Sequence, residues 1–571
     1  MRAFVFLKLI FISLLVVSCT DSSSSLETPL IQAYDYDIIK ELTLDEAAVV
    51  SAHPLASEVG AHILKQGGNA IDAAIAVQFS LAVVYPNAGN IGGGGFMVLH
   101  TKDGESYSID FRETAPNAAS KDMFLDEEGE VTDKSLNGHL ASGVPGTIAG
   151  IFLAHEKFGK LPMDKLIEPA ITLAELGFSI TEAEAKGLNS KKTDFEKYNT
   201  KPPVFIKNTD WKDGDTLVQK DLAQTLRRIA KNGKTEFYEG KTAKLIVEEM
   251  ERGGGIITMD DLKNYQAVLR KTRQFNYKDY SITTMDLPSS GGIMLQQMLH
   301  MALPYKLDTL EFHSPEAIQL MVEIERRAYA DRTEYMGDPD YVTVPTQQLT
   351  DSLYLISRMK DYVPGKAGKS ESIFPGLEES EETTHLSIVD KEGNAVAVTT
   401  TINTNYGSRV VVGEAGFILN NEMDDFSAKP NAPNAFGLLG TDANAIKPKK
   451  RMVSSMTPTI VTKDNKVFMV VGTPGGSTII TSLFQSIVNI IDFKLSPSMA
   501  VNAPKFHHQW LPDVVYIEKD FSPQAQTALT AMGYTLEKRE PIGRTELILI
   551  DEKGKIHAIA DKRGDDSAAG Y

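Results

Sequence analysis

The residues that could do chemistry in this 571-residue chain begin with a threonine. Glu381-Glu382-Thr383-Thr384-His385 joins two stretches of opposite character. Upstream, Gly365 to Glu382 has no apolar periodicity and is rich in Gly, Lys, Ser and Glu, which reads as a charged linker. Downstream, Thr383–Val389 and Ala395–Asn403 alternate and are rich in β-branched residues, with Asp390-Lys391-Glu392-Gly393-Asn394 as the hairpin turn between them. A strand that opens on a threonine at the end of such a linker predicts a cut between Glu382 and Thr383. The Thr383 hydroxyl would then be a nucleophile at a new chain terminus. Centring the turn on Glu392 pairs Ile388 with Val396, Leu386 with Val398 and, by extension, Thr383 with Thr401. Two hydroxyls then meet on neighbouring strands, while the four apolar residues face a core.

Other segments could complete such a site. Arg112, in Asp110-Phe111-Arg112-Glu113, ends a strand beside a Gly-rich turn, where its planar fork suits a carboxylate; read alone, it is more readily a surface ion pair. Asn420-Asn421-Glu422-Met423-Asp424-Asp425-Phe426 concentrates acids and amides, a composition suited to an ammonium group. Lys429 to Lys450 is a long loop with Phe436 near its middle, of a length that often serves as a lid. Ser454-Ser455 starts an apolar strand. Thr473-Pro474-Gly475-Gly476-Ser477 runs into the helix Thr478–Asp492, so its backbone N–H groups form a ready oxyanion site. Gly92 to Gly95 lacks the ending of a P-loop and reads as glycine for close backbone packing. The lone histidines His53 and His62, and the pair His507-His508, read as structural. No spacing in the sequence calls for a metal or a cofactor.

The elements that must position these residues are legible in part. Asn69 and Asp72 cap a helix over Ala70–Val84, apolar throughout and therefore buried. Helices are predicted over Ala56–Gln66, Thr147–Phe158 and from Ser314-Pro315-Glu316 to Tyr335, the last with an ion-paired charged face. Ser142 to about Leu377 reads as mostly helical. With 42% hydrophobic residues the chain can bury a large core, and its net charge of −18 argues against a nucleic-acid partner. Arg2, Lys8 and the apolar run Ile10–Val17 read as an export signal. The small residue before Cys19, the only cysteine, resembles a bacterial lipobox, which implies a lipidated Cys19 and an exported protein, periplasmic or at the cell surface, anchored to a membrane.

Taken together, Thr383-Thr384-His385, Asp110-Phe111-Arg112-Glu113, Asn421-Glu422-Met423-Asp424-Asp425, Ser454-Ser455, Pro474-Gly475-Gly476-Ser477, Gly68-Asn69-Ala70-Ile71-Asp72-Ala73-Ala74 and the terminal Ala569-Gly570-Tyr571 resemble the γ-glutamyltranspeptidases, from about Ala48 to the C-terminus. The resemblance implies an α+β N-terminal nucleophile hydrolase fold, an αββα sandwich formed jointly by two subunits. The chain would divide into a signal peptide (1–18), a tether (19–45), a large subunit (46–382) and a small subunit (383–571) that stay together after self-cleavage. By resemblance Thr383 is the nucleophile and Thr401 its hydrogen-bonding partner. Gly475 and Gly476 supply the oxyanion donors. Arg112, Ser454 and Ser455 hold an α-carboxylate; Asn403, Glu422 and Asp425 hold an α-ammonium. Phe436 stands in the lid where a Tyr often sits. The implied reaction takes the γ-glutamyl group of glutathione or a related compound through an ester on Thr383 to water, an amino acid or a dipeptide, with no cofactor. Two readings stand beside it: a relative on the same fold acting on glutaryl or poly-γ-glutamyl substrates, and a lipid-anchored binding protein that never matures.

Overall fold

The computed structural model describes residues 31–373, 383–429 and 441–571. Cys19, Glu382 and Phe436 lie outside the described residues.

Two seven-stranded antiparallel sheets form the centre. The first runs in the order Ser567–Gly570, Ala48–Ser51, Thr384–Val389, Ala395–Thr401, Gly94–His100, Ser106–Asp110, Val268–Arg270. The second runs Glu41–Leu44, Ile556–Ile559, Glu546–Ile550, Lys466–Gly472, Thr459–Lys463, Tyr280–Thr284, Arg273–Tyr277. Each sheet therefore mixes strands from before and after residue 383.

Strand alternation sorts the core into layers. Ala48, Val50, Phe96, Val98, Ala395 and Ala397 of the first sheet face Ile460, Val470, Ile548 and Ala558 of the second. The other face of the first sheet, with Val49, Leu99, Leu386, Ile388, Val396 and Val398, packs against the helices Pro54–Lys65 and Ala70–Val84. The other face of the second sheet, with Ile282, Val461, Met469, Val471 and Leu547, packs against Gly291–Ala302, Pro315–Tyr335 and Thr478–Ile491. The result is an αββα sandwich, the layering that the resemblance implies.

Local chemistry explains the key elements. Asn69 and Asp72 form a complete capping box on Ala70–Val84, and all fifteen residues of that helix are buried. The hairpin after Thr383 pairs Thr384 with Thr400, Leu386 with Val398 and Ile388 with Val396. Its turn is held by Asp390 Oδ1, which accepts from the amides of Glu392 (2.9 Å) and Asn394 (3.0 Å). Asp390 Oδ2 also accepts from the amide of Ala70 at 2.9 Å, which ties the hairpin to the helix layer.

Three sequence expectations need correction. The stretch read as mostly helical contains the strands Val268–Arg270, Arg273–Tyr277 and Tyr280–Thr284, short and mixed in polarity, so no period of two stands out. Part of the tether is folded: Glu41–Leu44 pairs with Ile556–Ile559, a backbone contact that needs no apolar pattern. The first part of the charged linker is docked. Gly368 N donates to Glu323 Oε1 (3.0 Å), and Trp510 Nε1 donates to Ser370 O (3.0 Å).

Candidate active site

Thr383 is buried just ahead of the strand Thr384–Val389. One step beyond the Thr384–Thr400 pair it reaches the level of Thr401, and both residues line one small cavity of about 20 Å³. Arg112, Asn403, Glu422, Asp425, Ser454, Ser455 and Gly476 line the same cavity, as do Met456 and Ile479. Gly475 lines a neighbouring cavity of about 300 Å³, which Thr383 also borders.

Each polar member is held by its own local structure. Asn403 has a left-handed backbone (φ 74°), a conformation that Asn tolerates. Its amide donates to Thr401 Oγ1 at 2.7 Å, and its Nδ2 donates to Asn421 O at 3.0 Å. Asn420 Oδ1 accepts from Glu422 N at 3.0 Å, while Asn420 Nδ2 donates to Gly92 O and Gly143 O at 2.9 Å each. The Gly-rich run earns its composition here. A Cβ on Gly93 would collide with the carbonyl of Thr401, and one on Gly94 with the Glu113 carboxylate. Arg112 is set by Asp110, whose Oδ1 accepts from its amide at 2.9 Å, and by Tyr265, whose hydroxyl donates to its carbonyl at 2.7 Å. Ser454 is fixed between Pro288 and Ser290 by two backbone bonds of 3.1 and 2.8 Å.

The electrostatics of the small cavity are severe. The Arg112 guanidinium pairs with both Glu422 and Asp425, and Glu113 Oε2 lies 3.5 Å from Nη1. Burial opposes the charge on Arg112, but Glu422, Asp425 and Glu113 outweigh it and raise its pKa. Burial pushes the Glu113 carboxyl up to about 8 against the pull of Arg112. Burial likewise pushes Glu422 well above the usual carboxylate range, and Asp425 above it. Three acids share one guanidinium, so the cavity holds protons that exposed carboxyls would have lost.

The Gly475-Gly476 turn is built differently. Gly475 and Gly476 both have positive φ (134° and 55°), so their successive amides form a concave nest. The turn is braced on both sides by neutral histidines. His385 packs against Gly472, where a Cβ would collide with its ring. Its Nε2 donates to Ser387 Oγ (3.1 Å), which itself donates to Glu546 O (3.1 Å), and its Nδ1 accepts from Thr399 Oγ1 (2.8 Å). On the far side, Ser477 Oγ donates to Gln509 Oε1 (2.9 Å), as does His507 Nε2 (2.6 Å), and His507 Nδ1 accepts from Thr481 Oγ1 (2.8 Å). Burial lowers the pKa of His385 to about 3 and that of His507 well below its ordinary value, so both rings stay uncharged.

Sequence reasoning missed several of these residues. Arg332 was read as part of a charged face on Pro315–Tyr335. That face is buried, and Arg332 reaches the site, its Nη2 donating to Ser455 Oγ at 3.1 Å and its Nε to Ser290 Oγ at 3.0 Å. Eight charged residues of both signs in this one helix could have signalled an ion-paired network. His385 and His507 carried no signal beyond their proximity to Thr383 and Ser477 in the sequence or the fold.

Comparison with known proteins places this geometry in context. The model of the family "Gamma-glutamyltranspeptidase" matches residues 56–571. The chain is 46% identical over 567 residues to a glutathione hydrolase proenzyme of Escherichia coli K12, covering 98% of each chain. It is 48% identical over 536 residues to one of Pseudomonas aeruginosa, covering 91% of this chain and 94% of the relative. Among solved structures it resembles a cephalosporin acylase from Bacillus halodurans, with TM-score 0.81, 25% identity and coverage of 95% and 98%. It also resembles a Helicobacter pylori γ-glutamyltranspeptidase, with TM-score 0.56 and 43% identity over 60% of this chain and 96% of that one.

Proposed function

Because the chain belongs to the γ-glutamyltranspeptidase family, we propose that it cuts itself between Glu382 and Thr383 and then uses Thr383 to take the γ-glutamyl group from glutathione and related amides. The observation that carries this reading is the lining of the small cavity. Thr383 borders a space whose other polar side chains are one guanidinium, two carboxyl groups, the hydroxyls of Thr401, Ser454 and Ser455, and the Asn403 amide. That set is complementary to the ammonium and carboxylate of an amino-acid head, which supports a pose with its side chain toward Thr383.

The chemistry follows from the parts. Cleavage frees the α-amine of Thr383, whose ordinary pKa of ~7.7–8.0 makes it a usable base near neutrality. It takes the hydroxyl proton as Oγ attacks the γ-carbonyl. The amides of Gly475 and Gly476 receive the developing oxyanion. The amine then protonates the departing nitrogen, and a γ-glutamyl ester remains on Thr383. Water or an acceptor amine attacks that ester and restores the hydroxyl. The substrate carboxylate exchanges with Glu422 and Asp425 for Arg112 and the two serines, and the substrate ammonium takes the two acids. Fixing both charges of the head orients the carbonyl, which supplies part of the rate. Ahead of the fold, Cys19 is read as a lipid-anchored residue of an exported protein.

Thr383→Ala should remain one uncleaved chain with turnover reduced by about 10⁴-fold or more, read by intact mass and by release of a γ-glutamyl anilide. Normal processing and turnover in that variant would overturn the assignment. Glutaryl anilide, which lacks the ammonium, should be a far poorer substrate than its γ-glutamyl counterpart; equal rates would favour an acylase specificity.

A further inference from the structure

The two serines read as holding the substrate carboxylate are themselves held from behind. Their support comes from the helix Pro315–Tyr335, in which every residue from Ala317 to Thr333 is buried. A guanidinium in such a place must spend its N–H groups on partners. Arg327 spends them on Glu323 (2.6 Å) and Asp361 (2.7 Å), and Arg326 pairs with Asp513. Arg332 is used differently. Its Nε donates to Ser290 Oγ at 3.0 Å and its Nη2 to Ser455 Oγ at 3.1 Å. Nε and Nη2 lie on one edge of the planar group, so a single rigid fork spans the two hydroxyls. The support extends to Ser454. Ser290 Oγ accepts from Arg332 and donates to Ser454 O at 2.8 Å, and Ser290 N donates to the same carbonyl at 2.8 Å.

We propose that Arg332 is the positioning residue of the carboxylate subsite: its fork holds Ser455 directly and Ser454 through Ser290, and so presents both hydroxyls to the α-carboxylate of the γ-glutamyl donor. The inference rests on the γ-glutamyl reading above and adds to it a residue outside the lining of the small cavity.

The hydrogen bonds have the polarity this role needs. Ser455 Oγ accepts from Arg332, and Ser454 Oγ accepts from Met456 N at 3.1 Å. Each oxygen thus already serves a donor, and its single O–H is the group it can offer a ligand. A carboxylate only accepts and an ammonium only donates, so this arrangement favours the carboxylate end of the head on the serine side. Arg332 also contributes charge. Burial raises the Asp425 carboxyl, and Arg112 and then Arg332 pull against that rise. Two guanidiniums therefore act on the subsite, one in its wall and one behind it.

The test compares two donors on processed enzyme: γ-glutamyl anilide, and 4-aminobutanoyl anilide, which keeps the ammonium and lacks the carboxylate. The ratio of their kcat/KM values reads carboxylate recognition, and a general loss of activity cancels within each protein. Arg332→Gln should lower that ratio by about tenfold, the weight of one charge-assisted hydrogen bond, with the change mostly in KM for γ-glutamyl anilide. Arg332→Lys keeps the charge and loses the fork, so its ratio should stay low. In a Ser455→Ala background Arg332→Gln should cost less than in the parent, because part of its route is already gone. Ser290→Ala breaks the relay to Ser454 with a small change in volume and should move the ratio in the same direction, which keeps the test decisive if Arg332→Gln does not fold or mature. An undiminished ratio in Arg332→Gln, or in Ser290→Ala where the first variant is not obtained, overturns the positioning role and leaves the γ-glutamyl reading standing. Full recovery of the ratio in Arg332→Lys overturns it as well. A parent enzyme that releases no anilide, or treats both donors alike, ends the reading of a glutamyl head and the inference with it.

Discussion

Around Arg112 the site is ionic, and around Gly475 it is neutral. The Arg112 guanidinium gathers three buried carboxyls, Glu422 and Asp425 in the wall of the small cavity and Glu113 behind it, each perturbed by its neighbours. The Gly475-Gly476 turn is braced by two uncharged imidazoles, hydroxyls and an amide. The contrast matches the two roles proposed for these parts. A head group carries full charges before and after reaction, so full charges bind it at every stage. An oxyanion exists only fleetingly, and fixed dipoles stabilise it without binding the ground state as strongly. A charged histidine beside the turn would add a field that is always on.

Four changes probe this contrast, from the largest expected effect to the smallest. Arg112→Gln leaves Glu422 and Asp425 without their cation. It should lower kcat/KM by roughly 10²–10³-fold and reduce the melting temperature, since breaking a buried pair costs about 3–5 kcal/mol. An unchanged melting temperature would show that the acids do not depend on it. Gly475→Ala attacks the neutral half: φ is 134° and a Cβ would collide with Thr478 Oγ1. It should lower kcat by about 10²-fold, in the range for losing one oxyanion donor, with little change in KM. His507→Phe acts one step removed, through Ser477 and Thr481. It should lower kcat by about tenfold, a fraction of that donor loss, and weaken binding of a tetrahedral boronate analogue while leaving KM nearly unchanged. A rise in KM alone would assign His507 to substrate binding instead.

The smallest effect is on pH. Glu113 keeps its proton in the folded state up to about 8, whereas an exposed glutamate loses it near 4.3. The folded state therefore binds more protons than the unfolded one between those values, and stability falls as pH rises across that window. Glu113→Gln should make the decline in melting temperature between pH 5 and 8 shallower. An unaltered slope would place the proton on another member of the cluster.

The order of elements around Thr383 was readable because it depends on local pattern. The hairpin register follows from a turn and two alternating strands, and the helix at Ala70 from a cap and an apolar run. Residues joined by sequence spacing could be found this way. Arg332 and the two histidines could not, because their roles depend on contacts between elements distant in the chain: Arg332 and Ser455 are 123 positions apart. The edge strands Glu41–Leu44 and Val268–Arg270 escaped notice because pairing is a backbone property and their side chains are half exposed or mixed. The ion pairing of Arg112 with Glu422 and Asp425 is a further matter of space, since sequence alone shows opposite charges but not that they share a wall.

The interleaving of the two sheets has a consequence for the life of the molecule. With the bond before Thr383 cut as proposed, each sheet would be stitched from two polypeptides, Glu41–Leu44 beside Ile556–Ile559 and Ser567–Gly570 beside Ala48–Ser51. Neither piece owns a complete sheet. The precursor finds its fold as one chain, with its halves held at high effective concentration. The mature pair, if unfolded, must find each other by diffusion while exposing unpaired strand edges. Assembly is therefore a one-way passage, and the working protein persists by the slowness of its unfolding more than by any ability to recover from it.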